Sequence, residues 1–214
     1  MARVQNTLIG RASGSVGNVV FYTYRLINVI RSRPENVFNP NTPNQQTVRS
    51  KFGYIVELYR LLKPLIVHGL KNRNRKMTAF NFFQKVNGSK LFSANAQPGP
   101  IFNPENLKVS YGLLNVTPIT FIVPTPNFPL VRIFWNTALN GNQSLTDISN
   151  QAIWNETKNE WAFSVSTSAR VNRNSAITLA SIPESGDILH CWLYFNNPEN
   201  GQISDTSYGN LTVQ

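Results

Sequence analysis

Asp187-Ile188-Leu189-His190-Cys191-Trp192-Leu193-Tyr194-Phe195, followed by Asn196-Asn197-Pro198-Glu199-Asn200-Gly201, is the stretch that decides the fold. Its side chains fall alternately on two faces, as in a strand, and the Asn/Pro/Gly run behind it is a strong turn. Gln202 to Val213 then returns beside it, which makes a β-hairpin. Upstream, short apolar runs separated by turn residues repeat the pattern at Leu107–Tyr111, Pro118–Val123, Leu130–Trp135, Gln151–Asn155, Glu160–Val165 and Ala176–Ser181. Such regular spacing of short strands predicts an immunoglobulin- or fibronectin-like all-β sandwich over residues 105–214.

Before residue 100 the periodicity changes. Val48, Phe52, Ile55, Val56, Tyr59 and Leu62 recur at helical spacing. Thr42 is placed as N-cap, Pro43 at the first helical position and Gln45 to complete a capping box. Pro64 should kink or end this helix, Leu65 to Gly69 add a turn, and Thr78 to Val86 form a second helix stopped by Asn87-Gly88. Glu35 to Pro43, rich in Asn and Pro, reads as an extended linker. Ahead of it, Asn18–Arg25 and Ile27–Arg33 read as the two strands of a hairpin turning around Arg25 and Leu26. Alternation puts Val19, Phe21, Thr23 and Ile30 on one face, and Val20, Tyr22, Tyr24, Val29, Arg31 and Arg33 on the other. The fold class expected is therefore α+β: a basic β-hairpin and helical segment, then an Ig/fibronectin-like sandwich.

Charge divides the chain at the same place. Of 20 Lys and Arg, fifteen precede residue 101, against Glu35 and Glu57 alone, so that half carries +13 and the remainder −3, for a net charge of +10. The step predicts two parts, 1–100 as a docking region and 101–214 as the sandwich. One part is built to face something negative. With 41% apolar residues, including four Trp, seven Tyr and thirteen Phe, the chain has ample material for a core. Neither a signal-peptide run nor an apolar stretch of membrane-spanning length is present, so cytoplasmic synthesis and no membrane partner are expected. The single Cys191 allows no internal disulfide.

No catalytic constellation is legible, and an enzyme, a cofactor and a metal site are all unexpected. His190 and Cys191 are adjacent in a strand and so point to opposite faces; the expected roles are a half-buried Cys and an edge-facing His. Ser13-Gly14-Ser15-Val16-Gly17 lacks the Lys-Ser/Thr ending of a phosphate loop and enters a strand, so Gly10, Gly14 and Gly17 serve the backbone. The candidate site is a polyanion- or partner-binding surface: Tyr22, Tyr24, Arg25, Arg31 and Arg33 on the hairpin, Arg49 and Lys51 on the helix, and Lys71, Arg73, Arg75 and Lys76 in the basic loop. Cations meet phosphates, and rings or guanidinium planes stack. The same residues suit docking on an acidic protein surface, where Arg and Tyr are favoured anchors. Alternatively, Tyr22 and Tyr24 pack on the 43–63 helix and the bases are solvated.

The opening Gly10, Ser13-Gly14, Val16-Gly17, Val19-Val20, Tyr22, Arg25, then Val29-Ile30-Arg31-Ser32 and Pro34, resembles an uncharacterised family of roughly this length found in Bacteroidota and their mobile elements. Gln45, Arg49, Lys51, Phe52, Gly69, Phe80-Asn81 and Asn87 continue the match, and the closing hairpin is similar too. The resemblance implies a two-part architecture and brings no activity. Members often carry Gly after the hairpin arginine, where this chain has Leu26. A γ-branched residue is disfavoured at positive φ, which predicts a longer or displaced turn. Three functions are open at this point. A structural protein of a large assembly leads, a phage-type virion component docking on neighbouring subunits, with homo-oligomers expected. A nucleic-acid-binding protein without sequence preference is the rival. Third is a carbohydrate- or cell-binding sandwich using Trp135, Trp154 or Trp161, although Trp in a sandwich more often packs.

Overall fold

The structure, a computed structural model, describes residues 2–4, 13–24, 27–36, 39–74, 76–88, 90–93 and 101–214. The architecture is mixed α+β in two compact units, Met1–Gln45 and Gln46–Gln214.

The first unit is one antiparallel sheet in the order β1-β4-β3-β2, from β1 (Ala2–Val4), β2 (Gly14–Val16), β3 (Val19–Tyr24) and β4 (Ile27–Ser32). β3 pairs with β4 in the register Val20↔Arg31, Phe21↔Ile30, Tyr22↔Val29 and Tyr24↔Ile27. That register yields the two faces expected from alternation. The turn expected around Arg25 and Leu26 falls on residues that lie outside the described ones, as does Gly10. The short β2 folds back through Gly17, whose φ of 54° is a left-handed conformation that glycine adopts without steric cost. Among the described residues of the sheet only Val29 is buried.

Helix α1 (Pro43–Leu61) opens as its sequence requires, with the Gln45 backbone N–H donating to Thr42 Oγ1 at 3.3 Å. The reciprocal half of the capping box is not formed, since Gln45 Oε1 accepts nothing among the described residues. Pro64 has no N–H to continue the ladder, and the chain steps at Leu62 into α2 (Lys63–Gly69). Helix α3 (Ala79–Asn87) is capped by Thr78, which accepts from the Asn81 N–H.

Seven strands follow: β5 (Ile119–Pro124), β6 (Leu130–Trp135), β7 (Ile148–Asn155), β8 (Glu160–Ala169), β9 (Asn174–Thr178), β10 (Ile188–Asn196) and β11 (Ser207–Thr212). They form a three-stranded sheet, β5-β6-β9, and a four-stranded sheet, β11-β10-β7-β8. Val131, Ile133, Trp135 and Ile177 of the first pack against Ile153, Leu189, Cys191, Leu193 and Phe195 of the second. This is the dry interior of an Ig/fibronectin-like sandwich. Leu107–Tyr111, expected as a strand, is instead an extended connection. Three of its backbone N–H groups donate to side chains, Lys108 to Asn87 Oδ1 at 2.8 Å and Val109 and Ser110 to Thr206 Oγ1 at 3.0 and 2.9 Å, while that of Tyr111 donates to Gly69 O at 3.1 Å.

The two compact units divide at 45/46. Ala152, Trp154, Trp192 and Tyr194 on the far face of the four-stranded sheet share one core with Ile55, Leu58, Leu62, Leu65, Ile66, Leu70 and Phe83 of the helices. Burial of apolar side chains, about 1.5–3 kcal/mol for each large one, fixes what folds together. The charge step reports only surface. Strands β7 and β10 are therefore covered on both sides. Gly69 marks how closely the helices approach: a Cβ there would collide with the Val109 carbonyl oxygen.

Candidate polyanion interface

On the first unit's sheet, β3 and β4 bring Tyr22 and Arg31 together, with the guanidinium carbon 5.9 Å from the ring centroid. Tyr24, on the same face by alternation, is 44% exposed, and Arg31 and Arg33 are exposed. The Arg33 backbone N–H donates to Asn18 O at 2.6 Å, which holds the end of β4 to the start of β3. Arg25 lies outside the described residues. This face combines guanidinium groups with an aromatic surface, the chemistry that suits phosphate or carboxylate partners.

The remaining predicted cations belong to the second unit and sit on separate elements. Arg49 is exposed on α1. Lys51, half-buried, rims a hollow of about 350 Å³ floored by Val48, Phe52 and Ile55 and bordered by Gln84 and Lys85 of α3. Lys71 and Lys76 are exposed in the α2–α3 loop, and Arg75 lies outside the described residues. Arg73 must be withdrawn from the displayed set. Its Nη1 donates to Leu70 O at 3.0 Å and its Nε to Met77 O at 3.3 Å, so the guanidinium ties the two ends of its loop. Leu70 O, at the end of α2, also accepts the Arg73 backbone N–H at 3.3 Å.

Both histidines are structural in ways their sequence positions do not reveal. His68 Nδ1 is 3.1 Å from the Tyr194 hydroxyl, which itself donates to Leu65 O at 2.9 Å, so the imidazole is the donor of that pair. Burial, with Lys71 adding to it, pulls the His68 pKa below its usual value. His190 is not edge-facing: it is buried, stacked between Trp154 and Tyr208, with Nδ1 2.7 Å from the Tyr208 hydroxyl and Nε2 2.9 Å from Glu156 Oε2. Burial, with Glu105, Cys191 and Glu156 nearby, pushes the Tyr208 phenol up to about 12, so it keeps its proton at neutral pH. Cys191, rather than half-buried, is fully enclosed in the sandwich interior with its thiol pKa pushed up by burial. Cys191 and His190 do point to opposite faces. Among the tryptophans, Trp135 and Trp154 are buried and Trp161 is half-buried, stacked on Trp154 and Trp192.

A second cation cluster has no counterpart among the residues expected from sequence. Lys85, Lys90 and Lys108 line one cavity with the exposed ring of Tyr111. Lys108 and Tyr111 belong to the part of the sequence with a net negative charge, in a segment expected to be a sandwich strand. Only the fold brings them to α3. Among the described residues no helix is long and apolar enough to cross a membrane, and no three His, Cys, Asp or Glu are grouped to hold a metal ion. No curated protein matches the chain. Residues 11–209 match the model of a family of unknown function, DUF6266, and the chain belongs to that family.

Proposed function

We propose that this protein is a non-enzymatic structural subunit of a large assembly, a phage-type virion component, that docks through its basic N-terminal sheet onto a negatively charged face of a neighbouring copy or subunit. One observation carries it. The first unit presents Arg31, Arg33 and Tyr24 on exposed surface, while Val29 is the one buried side chain among its described strand residues. The described side chains of β3 and β4 are mostly half-buried or exposed, and a sheet of three- to six-residue strands gains stability when something packs on it. Arg and Tyr are also the residues that anchor protein interfaces. The setting of the resembling family, Bacteroidota and their mobile elements, fits a virion part.

Light scattering of the full chain during size-exclusion chromatography tests the proposal. The expected result is a species above monomer mass at low salt that R31E/R33E dissociates. A monomer at every concentration and salt overturns it. The Arg31–Tyr22 pair favours one second reading, non-specific nucleic-acid binding. If about 6 to 10 phosphates are contacted, affinity falls by about 10³ to 10⁵ between 50 and 200 mM salt; a flat salt response removes that reading. Electron micrographs with and without nucleic acid separate the two, as rings, tubes or particles without it, or beads on strands only with it.

A further inference from the structure

We propose that the cavity at the C-terminal end of α3 is a binding site for a small phosphate-bearing ligand with a planar ring, of which a purine mononucleotide is the simplest representative. The cavity has a volume of about 380 Å³, within the size of small-molecule sites. Its charged lining is Lys85 from α3, Lys90 just beyond it, and Lys108 and Glu105 from the connection that leads to the sandwich. Three lysines and one glutamate thus share the lining. Lys108 has a weak claim on its own acidic neighbour, 3.8 Å from Asp205 Oδ2, and its side chain stays 44% exposed. Asp205 is itself occupied in part, since its Oδ1 accepts the Gly112 N–H at 3.1 Å.

Three carbonyls of the helix terminus have donors other than these lysines' ammonium groups. Gln84 O accepts the Gly88 N–H at 2.8 Å, Phe83 O accepts Asn87 Nδ2 at 3.0 Å, and Asn87 O accepts the N–H groups of Lys90 and Leu91 at 3.1 and 3.0 Å. The frame is rigid. Asn87, fully buried, donates from Nδ2 to Lys108 O at 3.0 Å and accepts the Lys108 N–H, clamping the connection onto the helix. Tyr111 is 52% exposed and held edge-on by Phe82, with ring centroids 5.7 Å apart, so its orientation is set while much of its surface remains available. Phosphate oxygens would meet the ammonium groups as charge-assisted acceptors, the ring would stack on Tyr111, and Glu105 would accept from a ribose hydroxyl or exocyclic amine.

The test titrates AMP, adenosine and inorganic phosphate into the isotopically labelled full chain, followed by amide chemical shifts. AMP is expected to perturb Lys90, Lys108 and Tyr111, and adenosine to bind about tenfold or more weakly for want of charge-assisted bonds. Y111A should weaken AMP by about five- to a hundredfold while leaving inorganic phosphate unchanged, the loss of one stacked base. K90A and K108Q should weaken both. Both Tyr111 and Lys90 are exposed, so these variants keep the fold. Failure of AMP to perturb the three residues, equal binding of adenosine and AMP, or no effect of Y111A on AMP overturns the proposal. Binding of a single-stranded oligonucleotide without any binding of AMP does so too.

Discussion

Removing the Arg170 guanidinium should unfold the sandwich far more readily than its position in a loop implies. Arg170 and Asp147 are both 0% exposed and form an ion pair, with Nη2 3.1 Å and Nε 3.2 Å from Asp147 Oδ2. Nε also reaches Ser144 O at 3.1 Å, Nη1 donates to Thr117 Oγ1, and the guanidinium carbon lies 4.1 Å from the Phe195 ring centroid. In R170M the carboxylate remains buried with the Ser144 N–H, at 2.8 Å, left to it. A buried charge that loses its partner costs about 3–5 kcal/mol. For a unit of this size that is a fall of roughly 6–20 °C in melting temperature, at about 2–4 °C per kcal/mol. R170M/D147L, which removes both charges, should recover most of the loss, because an apolar pair of similar volume avoids the desolvation that the ion pair must offset. All four tryptophans, at 135, 154, 161 and 192, lie in the Gln46–Gln214 unit, so their fluorescence in a urea titration reports that unit alone. An R170M penalty under about 1 kcal/mol, or a double variant as unstable as the two single losses combined, would refute the reasoning.

Acid should destabilise the helix-to-sheet contact through His68. Its folded pKa lies below the unfolded value of 6.5, through burial and then Lys71, so the unfolded chain binds the extra proton first and stability falls as pH drops below 6.5. Urea midpoints at pH 7.5 and 5.5 should differ less in H68N than in the parent, and an equal difference argues against His68 as the cause. R73A should cost about 0.5–1.5 kcal/mol, because Met77 O loses its charged donor while Leu70 O keeps the Arg73 backbone N–H at 3.3 Å, whereas K76A, exposed in the same loop, should be within about 0.5 kcal/mol of neutral by chemical denaturation. G69A should lower the melting temperature because its Cβ meets the backbone carbonyl of Val109, which cannot rotate away; an unchanged melting curve would mean that the connection shifts freely.

Most elements were legible because each is dictated by neighbours in the chain. Thr42-Pro43 starts a helix where its cap predicts it, the helix expected from Thr78 begins one residue later with Thr78 as its cap, Pro64 breaks one, and Leu130–Trp135 is a strand at both predicted ends. The hairpin faces follow from alternation, since Tyr22 and Arg31 fall on one side for any register of that parity. Leu107–Tyr111 misled because its apolar residues do alternate, but Val109 and Leu107 fill the core beneath the helices while the Lys108, Val109 and Ser110 N–H groups donate to side chains. The candidate site was legible only as a set of residue types. Arg73 shows why: a basic residue in a loop carries the same letter whether its head faces solvent or two carbonyls.

Local chemistry within the chain determined helix, strand and turn, the sandwich, and the excess of positive charge before residue 101. Which pieces share a core was decided only in three dimensions. The nearly unbroken apolar run Ile188–Phe195 carried the hint, because a strand with water on one side would show polar residues there, and this one has helices instead. Charge is settled by surface and can change along a chain without regard to packing. Burial depends on contacts between residues more than a hundred positions apart, such as the Tyr194 hydroxyl on Leu65 O, and no window of sequence contains both partners.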